Sequence, residues 1–313
     1  MILEKEFEDL FLNVSSRAAL SSYHYIGKKD KKAADKAAVD SMRDQLNRID
    51  IKGEIVIGEG ELDEAPMLYI GEKVGTNKGP ELDIAVDPLE GTNFAANNLP
   101  GALSVIAVSK KSNLFKAPET YMNKISVNIT EPNVVDLDFS TKKNIFNLAE
   151  FKNKKPNELT ACILDRPRHK KIIEELKKLN VKLKLITDGD ISGALLVTDP
   201  KYSVDIFLGI GGGPEGVLAA SALDAFNCNF QCKFLFETKK DIERARLMGI
   251  EDLNKKYQLN EIVSGDSIFC ATGVTSGDLV SGIEIHGKEF ISETLITHKS
   301  SGLKKIVKTK QII

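Results

Sequence analysis

Cysteine and histidine are scarce, at 4 each in 313 residues. Cys162, Cys228, Cys232 and Cys270 form no C-x-x-C pair, and the histidines do not cluster beside them, which argues against a structural zinc site. So few thiols in so long a chain do not make a disulfide scaffold, and reduced, buried cysteines are expected. An excess of either charge is lacking too: 43 Lys+Arg stand against 45 Asp+Glu, a net charge of −2. That balance provides no general field for nucleic acid or anionic lipid, and neither is expected as a partner. No apolar run approaches the ~20 residues that span a bilayer. The amino terminus, Met1 to Leu10, carries early acids instead of the basic-then-apolar pattern of a signal peptide. The expectation is a soluble, cytoplasmic protein. With 42% hydrophobic and 28% charged residues the chain is ordinary globular material. Its length allows one large domain or two closely packed halves, at ~100–200 residues per domain.

Leu3, Phe7, Leu10, Phe11, Val14 and Ala18 recur at helical spacing. Gly27 closes that segment, and Asp30 opens a second helix running to about Ile49. Short apolar runs bounded by turn residues read as strands: 54–57, 82–86, 102–108, 159–164, 181–186, 204–208, 233–236 and 267–271. Several precede helical stretches, such as 170–179 and 215–226. This alternation predicts an α/β chain of layered helices and sheets. A boundary near 155 would divide it into halves 1–155 and 156–313. Residues 282–299 alternate as a hairpin would, and the basic tail 304–313 is expected to fray.

The second helix places Asp35 on one line with Val39, Met42, Leu46 and Ile49, to within about 40°. A carboxylate on an inward face needs a cation, a hydrogen-bond network or a proton. Alone it reads as an ion pair to Lys28 or Lys31; it becomes a ligand if other acids converge on it. Residues 55–66 deliver Glu59, Glu61, Asp63 and Glu64 after a strand, then enter a helix with Pro66 near its first turn. An acidic helix start accounts for Asp63 and Glu64 but poorly for Glu59, which stands between two glycines. In the next strand Leu82, Ile84 and Val86 face one way, while Asp83, Ala85 and Asp87 face the other. Asp87 would end that strand, and a turn through Pro88 and Gly91 would bring Glu90 back beside it. Paired carboxylates at a strand end suit a hard divalent cation that also meets a phosphate. Thr92 then opens a segment whose backbone N–H groups favour an anion.

Gly211, Gly213 and Gly216 formally match G-x-G-x-x-G after a strand, and the next strand ends at Glu237. Glu215 at the helix start would repel a pyrophosphate, yet the same glutamate suits a metal, with the glycines admitting a phosphate. Metal plus phosphate is the favoured reading and a dinucleotide the alternative. Arg166 and Arg168, flanking Pro167, follow a strand and suit bidentate phosphate binding; a solvated loop is nearly as good an account. Asp188 and Asp190 around Gly189 either accept hydrogen bonds from sugar hydroxyls or cap the helix that follows. No Ser-His-Asp order and no reactive-cysteine pattern stands out, so covalent catalysis is disfavoured. His24, His286 and His298 are isolated and read as structural.

Together these residues resemble a known family. Asp87-Pro-Leu-Glu90-Gly-Thr92 resembles the metal motif of the lithium-sensitive phosphatase superfamily, which includes inositol monophosphatases and fructose bisphosphatases, with Glu90 where most members have Asp. That variant, with Ile57 to Glu72 and Gly211-Gly-Gly-Pro-Glu215-Gly, is similar to class II fructose-1,6-bisphosphatase of bacteria from about Asn13 to Gly277. The resemblance implies a layered α-β-α-β-α sandwich with the active site between two halves. It implies Asp35, Glu59, Asp87, Glu90 and Glu215 as ligands of Mg²⁺ or Mn²⁺. Substrate contacts would come from Glu90, Gly91, Thr92, Tyr121, Arg166, Pro167, Arg168, Asp188, Gly189, Asp190 and Gly212. Asp63 and Thr92 would help activate the attacking water. The expected reaction is hydrolysis of the 1-phosphate of fructose 1,6-bisphosphate, a gluconeogenic step, by a homo-oligomer. Sedoheptulose 1,7-bisphosphate, alone or as a second substrate, is the near alternative. A nucleotide-binding module built on the glycine loop is the alternative of a different class.

Overall fold

The computed structural model describes residues 3–58 and 68–313. In chain order the elements are α1 (Glu6–Tyr23), α2 (Lys31–Leu46), β1 (Lys52–Ile57), β2 (Lys73–Val74), β3 (Glu81–Glu90), α3 (Thr92–Ala96), β4 (Leu103–Lys110) and β5 (Tyr121–Val127). They continue as α4 (Thr141–Phe151), β6 (Thr160–Leu164), α5 (Lys170–Lys178), β7 (Lys182–Ile186), α6 (Asp190–Leu195), β8 (Ile206–Gly212), α7 (Gly213–Ala225) and β9 (Asn229–Leu235). The last are α8 (Lys239–Leu247), β10 (Lys256–Gln258), α9 (Leu259–Ile262), β11 (Ser267–Gly273), β12 (Glu284–His286), β13 (Glu289–His298) and β14 (Leu303–Ile312). The fold is mixed α/β, with two mixed sheets and helices packed on them. No described helix is long and apolar enough to cross a membrane.

The first unit comprises Met1–Lys116 and Val263–Ile313. Its sheet runs β12-β13-β11-β4-β3-β1-β2, with β14 also pairing β13. Phe7, Phe11, Val14 and Ala18 of α1 bury one stripe against Ile106, Val108, Ile268 and Phe290. Asp30 caps α2 by accepting the Ala33 N–H at 3.0 Å, and Val39, Met42 and Leu46 join the same core. Complete burial of a side chain such as Phe11 or Met42 contributes about 1.5–3 kcal/mol, so the apolar stripe, more than helix propensity, holds these helices in place.

The second unit, Ala117–Ile262, has the sheet order β10-β9-β5-β8-β6-β7. Parallel pairing joins β6 to β7 and to β8, and antiparallel pairing joins β5 to β8 and β9. Its core gathers Ile125, Val127, Ile145, Leu148, Leu176 and Ile206 from sheet and helices.

The division differs from the contiguous one at residue 155. β11 pairs β4 antiparallel from Ser267↔Ser109 to Gly273↔Leu103, so the carboxyl-terminal strands complete the amino-terminal sheet. The expected fraying of the tail is also corrected: β14 pairs β13 over ten residues, from Glu289↔Ile312 to His298↔Leu303. Its basic residues mark an edge strand, where lysines discourage pairing with another chain. The helix expected from Pro66 begins outside the described residues, and residues 68–72 are loop and turn.

Candidate active site

In the first unit the acids of β3 occupy one face, by a route other than the expected turn. The strand does not end at Asp87; it continues to Glu90 with a register shift. Asp87 pairs Val105 and Glu90 pairs Leu103, so three steps on β3 match two on β4. This one-residue bulge brings Asp87 and Glu90, three apart in sequence, to the same face. Leu82, Ile84, Val86 and Leu89 enter the core on the other. Pairing with β1 stops at Ala85, so Pro88 costs no hydrogen bond on that side. Gly91 then turns the chain in the left-handed region at φ 77°, and Thr92 begins α3. The N–H groups of Gly27 and Lys29 donate to the carbonyls of Ala95 and Ala96, tying the start of α2 to α3. Asp35 lies in that first part of α2, half-buried. No described residue pairs with its carboxylate, and burial pushes its pKa up. Of the two expected partners, Lys28 lies over the Tyr25 ring. Glu59 and Asp63 lie outside the described residues.

In the second unit the remaining candidates gather around the end of β8. Tyr121 pairs Gly212 across the β5–β8 ladder. A Cβ on Gly211 would fall 2.1 Å from Asp190 Oδ2, and one on Gly212 would fall 1.8 Å from Glu215 Oε2. A Cβ on Gly213 would meet the Phe234 ring at 2.9 Å. The three glycines therefore make room for two carboxylates and a ring. Two acids at this helix start oppose a pyrophosphate, which weakens the dinucleotide alternative. Burial raises the pKa of Glu215, and Asp190 and Asp188 add to the rise while Lys124 opposes it. Glu215 Oε2 is shielded from solvent and has no hydrogen-bond partner among the described residues; the same holds for Asp190 Oδ1.

The arginine loop borders this strand end. Arg168 stacks on the Tyr121 ring, 4.7 Å from its centroid, and its Nε donates to the Ile210 carbonyl at 2.9 Å. Among the described residues its terminal nitrogens have no hydrogen-bond partner. Arg166 lies 3.9 Å from Asp188, and Pro167 begins the short turn between the arginines. Gly189, at φ 85°, sets Asp190 at the start of α6. His169, buried, donates from Nδ1 to the Leu164 carbonyl and accepts the Ile210 N–H at Nε2, each at 2.7 Å. Only the neutral ring can do both, and burial lowers its pKa accordingly. It ties the arginine loop to β8. Sequence reasoning missed this role of His169, and it missed Lys124 altogether. Lys124 is 1% exposed, pairs with Asp190, and donates to the Gly212 carbonyl at 2.7 Å. The available signal was its alternation with Met122 and Ser126 on the buried face of β5.

Carboxylate oxygens are the donors that a hard divalent cation takes. A shielded, unpartnered Glu215 oxygen and a half-buried, unpaired Asp35 are costly unless a cation meets them. Glu90 is 5% exposed beside Asp87 on the bulged strand end. Among the described residues no three His, Cys, Asp or Glu side chains are grouped to hold a metal. Of the five expected ligands, Asp35, Asp87 and Glu90 belong to the first unit and Glu215 to the second.

The profile of "Bacterial fructose-1,6-bisphosphatase, glpX-encoded" matches residues 6–311. The chain is 41% identical to "Fructose-1,6-bisphosphatase 1 class 2" of Escherichia coli, over 96% of this chain and 93% of that protein. It is 40% identical to the class 2 enzyme of Haemophilus influenzae, over 95% and 93%. It is 37% identical to "D-fructose 1,6-bisphosphatase class 2/sedoheptulose 1,7-bisphosphatase" of Trichodesmium erythraeum, over 95% and 94%. Among solved structures, an inositol monophosphatase from Anabaena aligns with a TM-score of 0.33 at 12% identity, over 62% of this chain and 71% of its own. The match from residue 6 to residue 311, joined to the acids, glycines and arginines described above, places this chain in the bacterial class 2 fructose-1,6-bisphosphatase family.

Proposed function

We propose that this phosphatase hydrolyses the 1-phosphate of fructose 1,6-bisphosphate to fructose 6-phosphate and phosphate. The observation that carries the reading is the similarity to class 2 fructose-1,6-bisphosphatases along nearly the whole chain. Asp35, Glu59, Asp87, Glu90 and Glu215 would hold Mg²⁺ or Mn²⁺. A bound divalent cation supplies charge for the phosphoryl oxygens and acidity for the attacking water. The chain's own groups do the rest. Thr92 and Asp63 would orient the attacking water in line with the phosphorus. Arg166 and Arg168 hold the distal phosphate, and the stacking of Arg168 on Tyr121 means that little side-chain freedom is lost on binding. Asp188 and Asp190 accept hydrogen bonds from the sugar hydroxyls. Glu90, Gly91 and Gly212 bring backbone close to the substrate, and no covalent phosphoenzyme is needed.

The test is phosphate release from fructose 1,6-bisphosphate, sedoheptulose 1,7-bisphosphate and inositol 1-phosphate, each with Mg²⁺, with Mn²⁺ and after chelation. Fructose 1,6-bisphosphate should be hydrolysed, chelation should abolish turnover, and Glu215→Gln or Asp87→Asn should lower kcat/KM by about a hundredfold or more. Wild-type rates in both variants would remove the ligand assignment. A clear preference for the seven-carbon sugar would transfer the reading to sedoheptulose bisphosphate, which the Trichodesmium relative's name includes.

A further inference from the structure

The Lys124 ammonium is buried in β5, and nothing in the reaction described above uses it. Its stem runs beside Gly216 of α7, where an added Cβ would lie 3.3 Å from Lys124 Cδ, and opposite Cys232 of β9. The charged end pairs with Asp190 Oδ2 and donates to the Gly212 carbonyl at 2.7 Å. A lysine kept there for stability alone would be a poor choice, because a buried ion pair is commonly matched or exceeded by apolar side chains of the same volume. The pair is also incomplete in a specific way. Asp190 is 9% exposed, and with Oδ2 held by the ammonium its Oδ1 is shielded and without a hydrogen-bond donor among the described residues. A buried acceptor left open in this manner destabilises the free protein and rewards a ligand that brings a donor. The same ammonium fixes Gly212, whose Cα the Glu215 carboxylate closely approaches.

We propose that Lys124 is a positioning residue of the sugar-binding part of the site: it fixes Asp190 with one oxygen committed and the other presented to a substrate hydroxyl. It touches no reacting atom and acts through Asp190. The chemical class it serves is a polyhydroxylated sugar phosphate, so the proposal rests on the function proposed above.

The test compares the wild type with Lys124→Met, Asp190→Asn and the double variant in the full-length protein with Mg²⁺. Steady-state kinetics on fructose 1,6-bisphosphate and calorimetric binding of fructose 6-phosphate are measured together. Lys124→Met should raise KM and weaken fructose 6-phosphate binding by about tenfold or more, while kcat stays within about threefold. The double variant should be no weaker than Asp190→Asn, since the lysine acts through that acid. Should Lys124→Met fail to fold, the comparison of Asp190→Asn with the charge-balanced double variant decides the matter. Unchanged KM and sugar-phosphate affinity in Lys124→Met would overturn the proposal. So would a loss confined to kcat, or a double variant about tenfold weaker than Asp190→Asn. A wild-type protein that neither hydrolyses the bisphosphate nor binds fructose 6-phosphate would overturn the functional reading first, and this proposal with it.

Discussion

Gly212 shows how much one missing methyl group can carry. Its Cβ would sit 1.8 Å from Glu215 Oε2, the movable end of a long side chain. An alanine there can be accommodated by displacing that carboxylate, so the fold should survive while the proposed metal ligand moves. Gly212→Ala should therefore melt near the wild-type temperature but bind Mn²⁺ about 10–100-fold more weakly by calorimetry, with activity falling in parallel. Wild-type affinity for Mn²⁺ would show that the close approach has no such role. The residue types at this loop were legible in the sequence. The reason for each glycine was not, because Asp190 and Phe234 reach them from other strands and helices.

Among elements, the end of β3 is where expectation and structure part most usefully. Alternation along 82–86 correctly assigned the core face. It could not foresee that the strand runs past Pro88, because proline and glycine together usually mark a turn. The bulge serves the same end as that turn, setting Glu90 on the face of Asp87. The carboxyl-terminal strand is the converse case. A basic, lightly apolar tail looks like one that frays, but β14 is held by a ten-residue ladder to β13. Hydrogen exchange should find slow amides in residues 303–312, at the positions that donate to β13. Exchange of the entire segment within seconds would contradict the ladder.

In the whole molecule, one buried charge cluster joins distant parts of the chain. His298 is 1% exposed, with Nδ1 2.7 Å from Glu8 and Nε2 2.9 Å from Asp266. Burial works to lower its pKa, but the hydrogen bonds it donates to Asp266 and Glu8 overcome this and hold it above the ordinary 6.5. Burial likewise works to raise Asp266, and the His298, Leu3 and Ser300 hydrogen bonds outweigh it, holding that carboxyl well below its usual range. A raised imidazole stabilises the fold fully below its unfolded pKa, near ~6.5, and that contribution fades as pH rises through the folded value. A lowered carboxyl stabilises above its unfolded pKa, near ~3.9, and its contribution fades as pH falls through the folded value. The cluster thus contributes most between about pH 4 and 6.5. His298→Gln should cost about 3–5 kcal/mol in urea unfolding at pH 5.5 and clearly less at pH 8.5. An equal cost at both values would show that the imidazole is not charged in the fold.

Periodicity and composition by themselves determined the α/β alternation, the helices at 3–18 and 30–49, and the acids, glycines and arginines from which a phosphatase site can be built. These depend on local spacing, and a chain displays its local spacing openly. Only the tertiary structure decided that residues 263–313 complete the first sheet, that a bulge aligns Asp87 with Glu90, and that Lys124 and His169 hold the second unit's loops. Each depends on pairing or burial between segments far apart in sequence, where hydrogen bonds and desolvation are set by neighbours that no local pattern names.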